Sequence, residues 1–100
     1  MPRKTSLTVE KLSKDINFFY GYIAECELLL PFNANVNNTL EYIKSEYQQE
    51  DLIISHKVLD SGDITLYING TGEKQINSLI NIISEDYNVI DCQLESITEC

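Results

Sequence analysis

From Phe18 to Leu30 every second side chain is apolar: Phe18, Tyr20, Tyr22, Ala24, Cys26, Leu28 and Leu30. The alternate positions are mixed: Phe19, Gly21, Ile23, Glu25, Glu27 and Leu29. Successive strand side chains point to opposite faces, so this stretch predicts a β-strand with one buried face and one mixed face. Its length and its content of β-formers place it centrally in a sheet. Leu30-Pro31 ends it, because proline has no N–H to give to a ladder.

The period then changes. Val36, Leu40, Ile43 and Tyr47 recur at helical spacing. They predict an amphipathic helix over roughly 34–47, with Asn33 or Asn35 as its cap. Leu52 to Leu59 reads as a second strand, with Leu52, Ile54 and Val58 toward the core and His56 on the same side. Asp60-Ser61-Gly62-Asp63 is a hairpin signal, Gly62 being suited to positive φ. Ile64, Leu66 and Ile68 alternate with Thr65, Tyr67 and Asn69 in a third strand. Gly70-Thr71-Gly72 breaks it. Ile76, Leu79, Ile80 and Ile83 mark a second helix over roughly 73–86, with Thr71 as cap and Tyr87-Asn88 as its stop. Val89 to Ser96 closes the chain as a strand. Its Ile90, Cys92 and Leu94 face the core, and Val89, Asp91, Gln93 and Glu95 face away.

The order β-α-β-β-α-β predicts an α+β domain with a four-stranded antiparallel sheet and two helices on one face. This is the ferredoxin-like split arrangement. Right-handed crossovers give the strand order 4-1-3-2. The domain is expected to span 18–100. Residues 1–17 form an N-terminal extension, where Val9, Leu12 and Ile16 have helical spacing after Thr8. It is either a short helix packed on the domain edge or a tail that orders on contact with a partner.

The formal charge of −9 is unevenly distributed. Arg3, Lys4, Lys11 and Lys14 stand in the first fourteen positions. From Asp15 onward, three basic residues (Lys44, Lys57, Lys74) face fifteen acidic ones. An anionic body repels phosphate backbones and anionic headgroups, and attracts basic protein surfaces. An acidic surface also simply favours solubility. No apolar run is long enough to cross a membrane, and no apolar stretch follows the charged start as a secretory signal would require. Three cysteines without metal-type spacing fit a reducing compartment, and the expected location is cytoplasmic.

The sheet face away from the helices is expected to present Phe19, Ile23, Glu25 and Glu27 from the first strand and Tyr67 from the third. Asp91 and Glu95 come from the last strand, beside the first. Carboxylates facing each other across strands repel by about 0.2–1 kcal/mol per direct pair. A basic partner would neutralise them, a divalent cation would bridge them, or water would solvate them. No spacing in the chain matches a metal loop, so no metal is expected. Phe19 and Tyr67 have the shape to stack on bases, but their neighbours are acidic, and RNA recognition relies on basic surroundings. Direct nucleic-acid binding is therefore not expected. The apolar Phe19 and Ile23 suggest contact with another protein or a second copy, unless residues 8–17 cover them.

Catalytic chemistry has little support. His56 is the only histidine, and no nucleophile motif accompanies it. Gly70, Thr71, Gly72 and Lys74 lie at a strand-to-helix turn of the kind that cradles anions, but Glu73 puts negative charge there. Cys100 is a candidate for disulfide formation between copies. The leading expectation is a non-enzymatic, acidic interaction module without cofactor. It would bind a basic protein partner, in one version as a regulatory or phage-type inhibitor that mimics nucleic-acid charge. The alternative is a sensor domain that binds a metabolite at Gly70–Gly72 or at a homodimer interface.

Overall fold

The protein is described by a computed structural model over residues 21–99. The expected extension over 1–17, residues 18–20 of the first strand and Cys100 lie outside the described residues. Six elements follow in the expected order: β1 (Tyr22–Leu29), α1 (Val36–Tyr47), β2 (Leu52–Val58), β3 (Ile64–Gly70), α2 (Glu73–Ser84) and β4 (Asp91–Glu99). The strands form one antiparallel sheet in the order β2-β3-β1-β4, the same sheet as 4-1-3-2 read from the other edge. Leu40 and Ile43 of α1 and Ile76, Leu79, Ile80 and Ile83 of α2 share one core with Ala24, Cys26, Leu28, Leu66 and Ile68. Both helices therefore cover the same face of the sheet.

Local chemistry sets the boundaries. The side chain of Asn35 accepts from the Asn38 amide at 3.1 Å, capping α1. In the β2–β3 hairpin the Leu59 amide donates to Asp63 O and the Gly62 amide to Leu59 O, both at 2.8 Å. Gly62 sits there at φ 93°, where a β-carbon would be strained. Gly70 meets a different demand. A β-carbon on it would lie 2.8 Å from Leu52 Cδ2 and 3.0 Å from Ile76 Cγ1, so its bareness lets β2 and α2 close over the end of β3.

Two expectations need correction. The first concerns the cap of α2. The N-cap is Gly72, without a side-chain bond, and not Thr71. The Thr71 hydroxyl and amide both donate to Gln75 Oε1, at 3.0 and 3.3 Å, and Gln75 in turn donates to Asp51. The second concerns β4, which runs Asp91–Glu99 rather than Val89–Ser96. Val89 precedes the strand, in a turn whose amide donates to Asp86 O at 3.0 Å. It is buried in the helix-side core, so strand alternation does not reach it. Ile90 and Leu94 are exposed instead. Pairing with β1 shifts register between Glu25, opposite Ser96, and Cys26, opposite Leu94. Glu95 is the extra residue of a β-bulge, which resets the alternation and turns Ile97 toward the core.

Candidate functional site

The face away from the helices is built in rows by the register of the strands. Ile53, Asn69, Ile23 and Thr98 form one row; Ser55, Tyr67, Glu25 and Ser96 the next; Lys57, Thr65, Glu27 and Gln93 the third. Leu29 and Asp91 face each other beyond these. Exposure rises along the rows. Ile23 and Asn69 are each 1% exposed and Tyr67 8%, whereas Glu27, Gln93 and Leu29 are open to solvent. Asn69 Nδ2 donates to the Tyr22 carbonyl at 2.6 Å, fixing that amide in the sheet.

Of the expected apolar docking patch, Ile23 and Tyr67 lie on the expected sheet face and are buried. Phe19, the third member of that patch, lies outside the described residues. Glu25, Glu27 and Asp91 share the face, Asp91 standing diagonally from Glu27 on the neighbouring strand. Asp91 is also anchored locally: Oδ1 accepts from the Cys92 amide at 2.9 Å and Oδ2 from Gln93 Nε2 at 2.7 Å. Glu95 leaves the ladder at the bulge and stands exposed on the β4 edge.

The wall runs into an apolar end that the sequence pattern did not single out. Leu29 and Ile90 are 53% and 56% exposed, and the Ile90 amide donates to the Leu29 carbonyl at 2.8 Å, so the two adjoin. Phe32 and Tyr87 are fully exposed. Tyr87, Pro31, Asn33, Asn35 and Thr39 line a cleft of about 480 Å³ between the loop into α1 and the turn after α2. The available signal was placement: Phe32 and Tyr87 both stand in turn segments, where large apolar side chains have no core to enter.

Behind this end, Asp86 ties the two helices together. Tyr42 donates its hydroxyl to Asp86 Oδ2 at 2.7 Å, and Tyr47 donates to the same oxygen. Asp86 Oδ1 accepts from the Asn88 amide at 2.8 Å. The tyrosine rings meet edge to face at 6.4 Å. Burial disfavours the Asp86 charge, but the bonds from Tyr47, the Asn88 amide and Tyr42 outweigh it and hold the carboxyl below its ordinary 3.8.

His56 lies on the core-facing parity opposite Leu66, as expected. Burial, then the charge of Lys44, pushes it below its ordinary 6.5, and Nδ1 has no hydrogen-bond partner. It belongs to β2 and Cys92 to β4, the opposite edges of the sheet. Three strand spacings, about 14 Å, separate such positions, so these two side chains form no dyad. Cys26 and Cys92 are both buried and free, on the core face of adjacent strands. The Cys26 thiol is pushed above its ordinary range by its hydrogen bond with Cys92, and further by burial.

At the glycine turn, Gly70 is packed between Leu52 and Ile76, and the Thr71 amide is already bonded to Gln75. Lys74 is exposed one residue into α2. Among the described residues, no three His, Cys, Asp or Glu side chains converge as a metal site, and no helix is long and apolar enough to cross a membrane. No protein-family model matches the chain, and no curated protein does.

Proposed function

We propose that this chain is a non-enzymatic, acidic interaction module of ferredoxin-like build that binds a basic protein surface. The observation that carries this reading is the run of Glu25, Glu27 and Asp91 along one sheet face to exposed Leu29, with Ile90 adjoining it; Phe32 and Tyr87 are exposed in the turns that flank these residues along the chain. Charged rows steer a basic partner into encounter, and exposed aromatic side chains supply the desolvated anchors that dominate binding energy. A groove that normally receives nucleic acid has the required chemistry, so an inhibitor that imitates phosphate charge is the version that fits best. The imbalance of fifteen acidic against three basic residues from Asp15 onward supports it.

Affinity capture with the full chain tests the reading, with the quadruple reversal Glu25→Lys, Glu27→Lys, Asp91→Lys and Glu95→Lys as comparison. The expected result is recovery of a basic protein by the wild type, weakened by salt and lost with the reversal. Equal recovery by both chains removes the acidic wall from the function.

A further inference from the structure

We infer that the cleft between the loop into α1 and the turn after α2 receives an arginine side chain of the basic partner. The inference rests on the proposed function and names the group recognised. The cleft holds about 480 Å³, and the described residues that line it are all uncharged. Pro31, Asn33, Asn35 and Thr39 come from the loop and the first turn of α1, Tyr87 and Asn88 from the turn after α2. Its position follows from the sheet. Leu29 faces Asp91 at the end of the β1–β4 ladder, and the Ile90 amide donates to the Leu29 carbonyl. Pro31 and Asn88 each stand two residues beyond that pair, so the cleft begins where the rows of Glu25, Glu27 and Asp91 end.

The lining suits a guanidinium. Tyr87 is 97% exposed and offers a ring face on which a planar cation can stack. A guanidinium has only donors, so it needs oxygen acceptors around it. Asn35 Oδ1 is already taken by the Asn38 amide, but Asn33 and Thr39 bring further oxygens. Asn88 supports the Asp86 carboxylate through its side chain as well as its backbone amide. A side-chain amide reaches a carboxylate only through its nitrogen, which leaves the Asn88 oxygen to accept. Charge selects the same occupant. Tyr42, Tyr47 and the Asn88 amide, the donors bonded to Asp86, are neutral and do not cancel its charge, and Glu85 is exposed beside it in the chain. An anion would be repelled there, and a neutral ligand would gain nothing from the field. Arginine is favoured over lysine because its cation is flat and weakly hydrated, whereas an ammonium is compact and holds its water.

Titration of the full, nitrogen-15-labelled chain with acetylated tri-arginine amide and tri-lysine amide tests this by magnetic resonance. The two peptides carry equal charge, so the acidic rows attract them alike. Tri-arginine is expected to bind several-fold more tightly and to shift the side-chain amide signals of Asn33 and Asn88. In Tyr87→Ala, whose ring is outside the core, the two peptides are expected to bind equally. Equal affinities for the unaltered chain overturn the inference, as does an arginine preference that survives in Tyr87→Ala, or the absence of binding by either peptide. Cleft signals that move with chain concentration before any peptide is added would assign the cleft to a second copy and overturn it too. Equal, salt-sensitive shifts confined to Glu25, Glu27 and Asp91 would remove the arginine site and leave the acidic rows in place, so its failure is separable from failure of the proposed function.

Discussion

Tyr47 in α1 and Asp86 beyond the end of α2 are joined through a single carboxylate oxygen across thirty-nine positions of sequence. Tyr42 uses the same oxygen. The bond couples α1 to the segment that follows α2, and it relies on opposite protonation of its two ends. Replacing Tyr47 with Phe is expected to cost about 1 kcal/mol, the net worth of a typical hydrogen bond. Asp86→Asn keeps the shape and removes the charge. The Asp86 carboxyl is held below 3.8, so its contribution is complete above that value and is lost as pH falls through the folded-state pKa. Tyr47 is raised above 10.0, first by the bond to Asp86 and then by burial, so it contributes below pH 10 and less as pH climbs further. Urea unfolding against pH should show a shallower acid limb for Asp86→Asn than for the wild type. Coincident acid limbs would contradict the role given to Asp86.

Two glycines two residues apart should respond unequally to the same change. Gly70→Ala places a β-carbon against Leu52 and Ile76 at contacts far too short. Both are core residues with little freedom to withdraw, so a loss of about 1–3 kcal/mol is expected. Gly72 has nothing within 4 Å of the same position and an extended backbone at φ −148°. Gly72→Ala should fall within about 0.5 kcal/mol of the wild type. Thermal melts of the two variants decide the matter, and equal losses would refute the packing argument.

The elements were legible because each buries one clean period. Ala24, Cys26 and Leu28 alternate, and Leu40 with Ile43 and Ile76 with Leu79, Ile80 and Ile83 recur helically; these are the side chains that form the core. Strand order followed from handedness. Glu95 could not be read in this way, because a bulge is one extra residue that leaves the local alternation of β4 looking regular. Val89 misled for a related reason: a turn directed it into the core from outside the strand. The site was less legible than the fold. Period two assigned Ile23 and Tyr67 to the correct face but says nothing about what lies over that face. Phe32 and Tyr87 belong to turns, where no periodicity exists to mark them.

His56 makes stability depend on pH near neutrality. It is the chain's single histidine, so no other imidazole masks it. Burial and Lys44 lower its pKa, with Glu41 opposing, so the unfolded chain takes up the proton more readily than the folded one. Stability is therefore greatest above 6.5 and declines as pH falls below it toward the folded-state value. His56→Leu should flatten the stability profile between about pH 8 and pH 5, the range in which histidine changes charge. Denaturation at the two ends of that range measures the slope. A variant as steep as the wild type would place the dependence elsewhere.

Phe32 and Tyr87 separate binding from folding. Neither contributes to the core, and both are fully exposed, so Phe32→Ser with Tyr87→Ser should leave the melting temperature nearly unchanged. Ile23→Ser provides the contrast. It is 1% exposed, and should destabilise by about 2–5 kcal/mol, as truncation of a buried aliphatic side chain does. If Phe32 and Tyr87 anchor the basic partner, the double variant should lose about 2 kcal/mol or more of binding energy, the scale of an interface hot spot. Charge reversal at Glu25, Glu27 and Asp91 should instead slow association and abolish its salt dependence. Titration calorimetry and stopped-flow association with the captured partner distinguish the two effects. A double variant that binds at wild-type affinity would confine the docking surface to the acidic rows, and one that melts early would show that these rings support the fold.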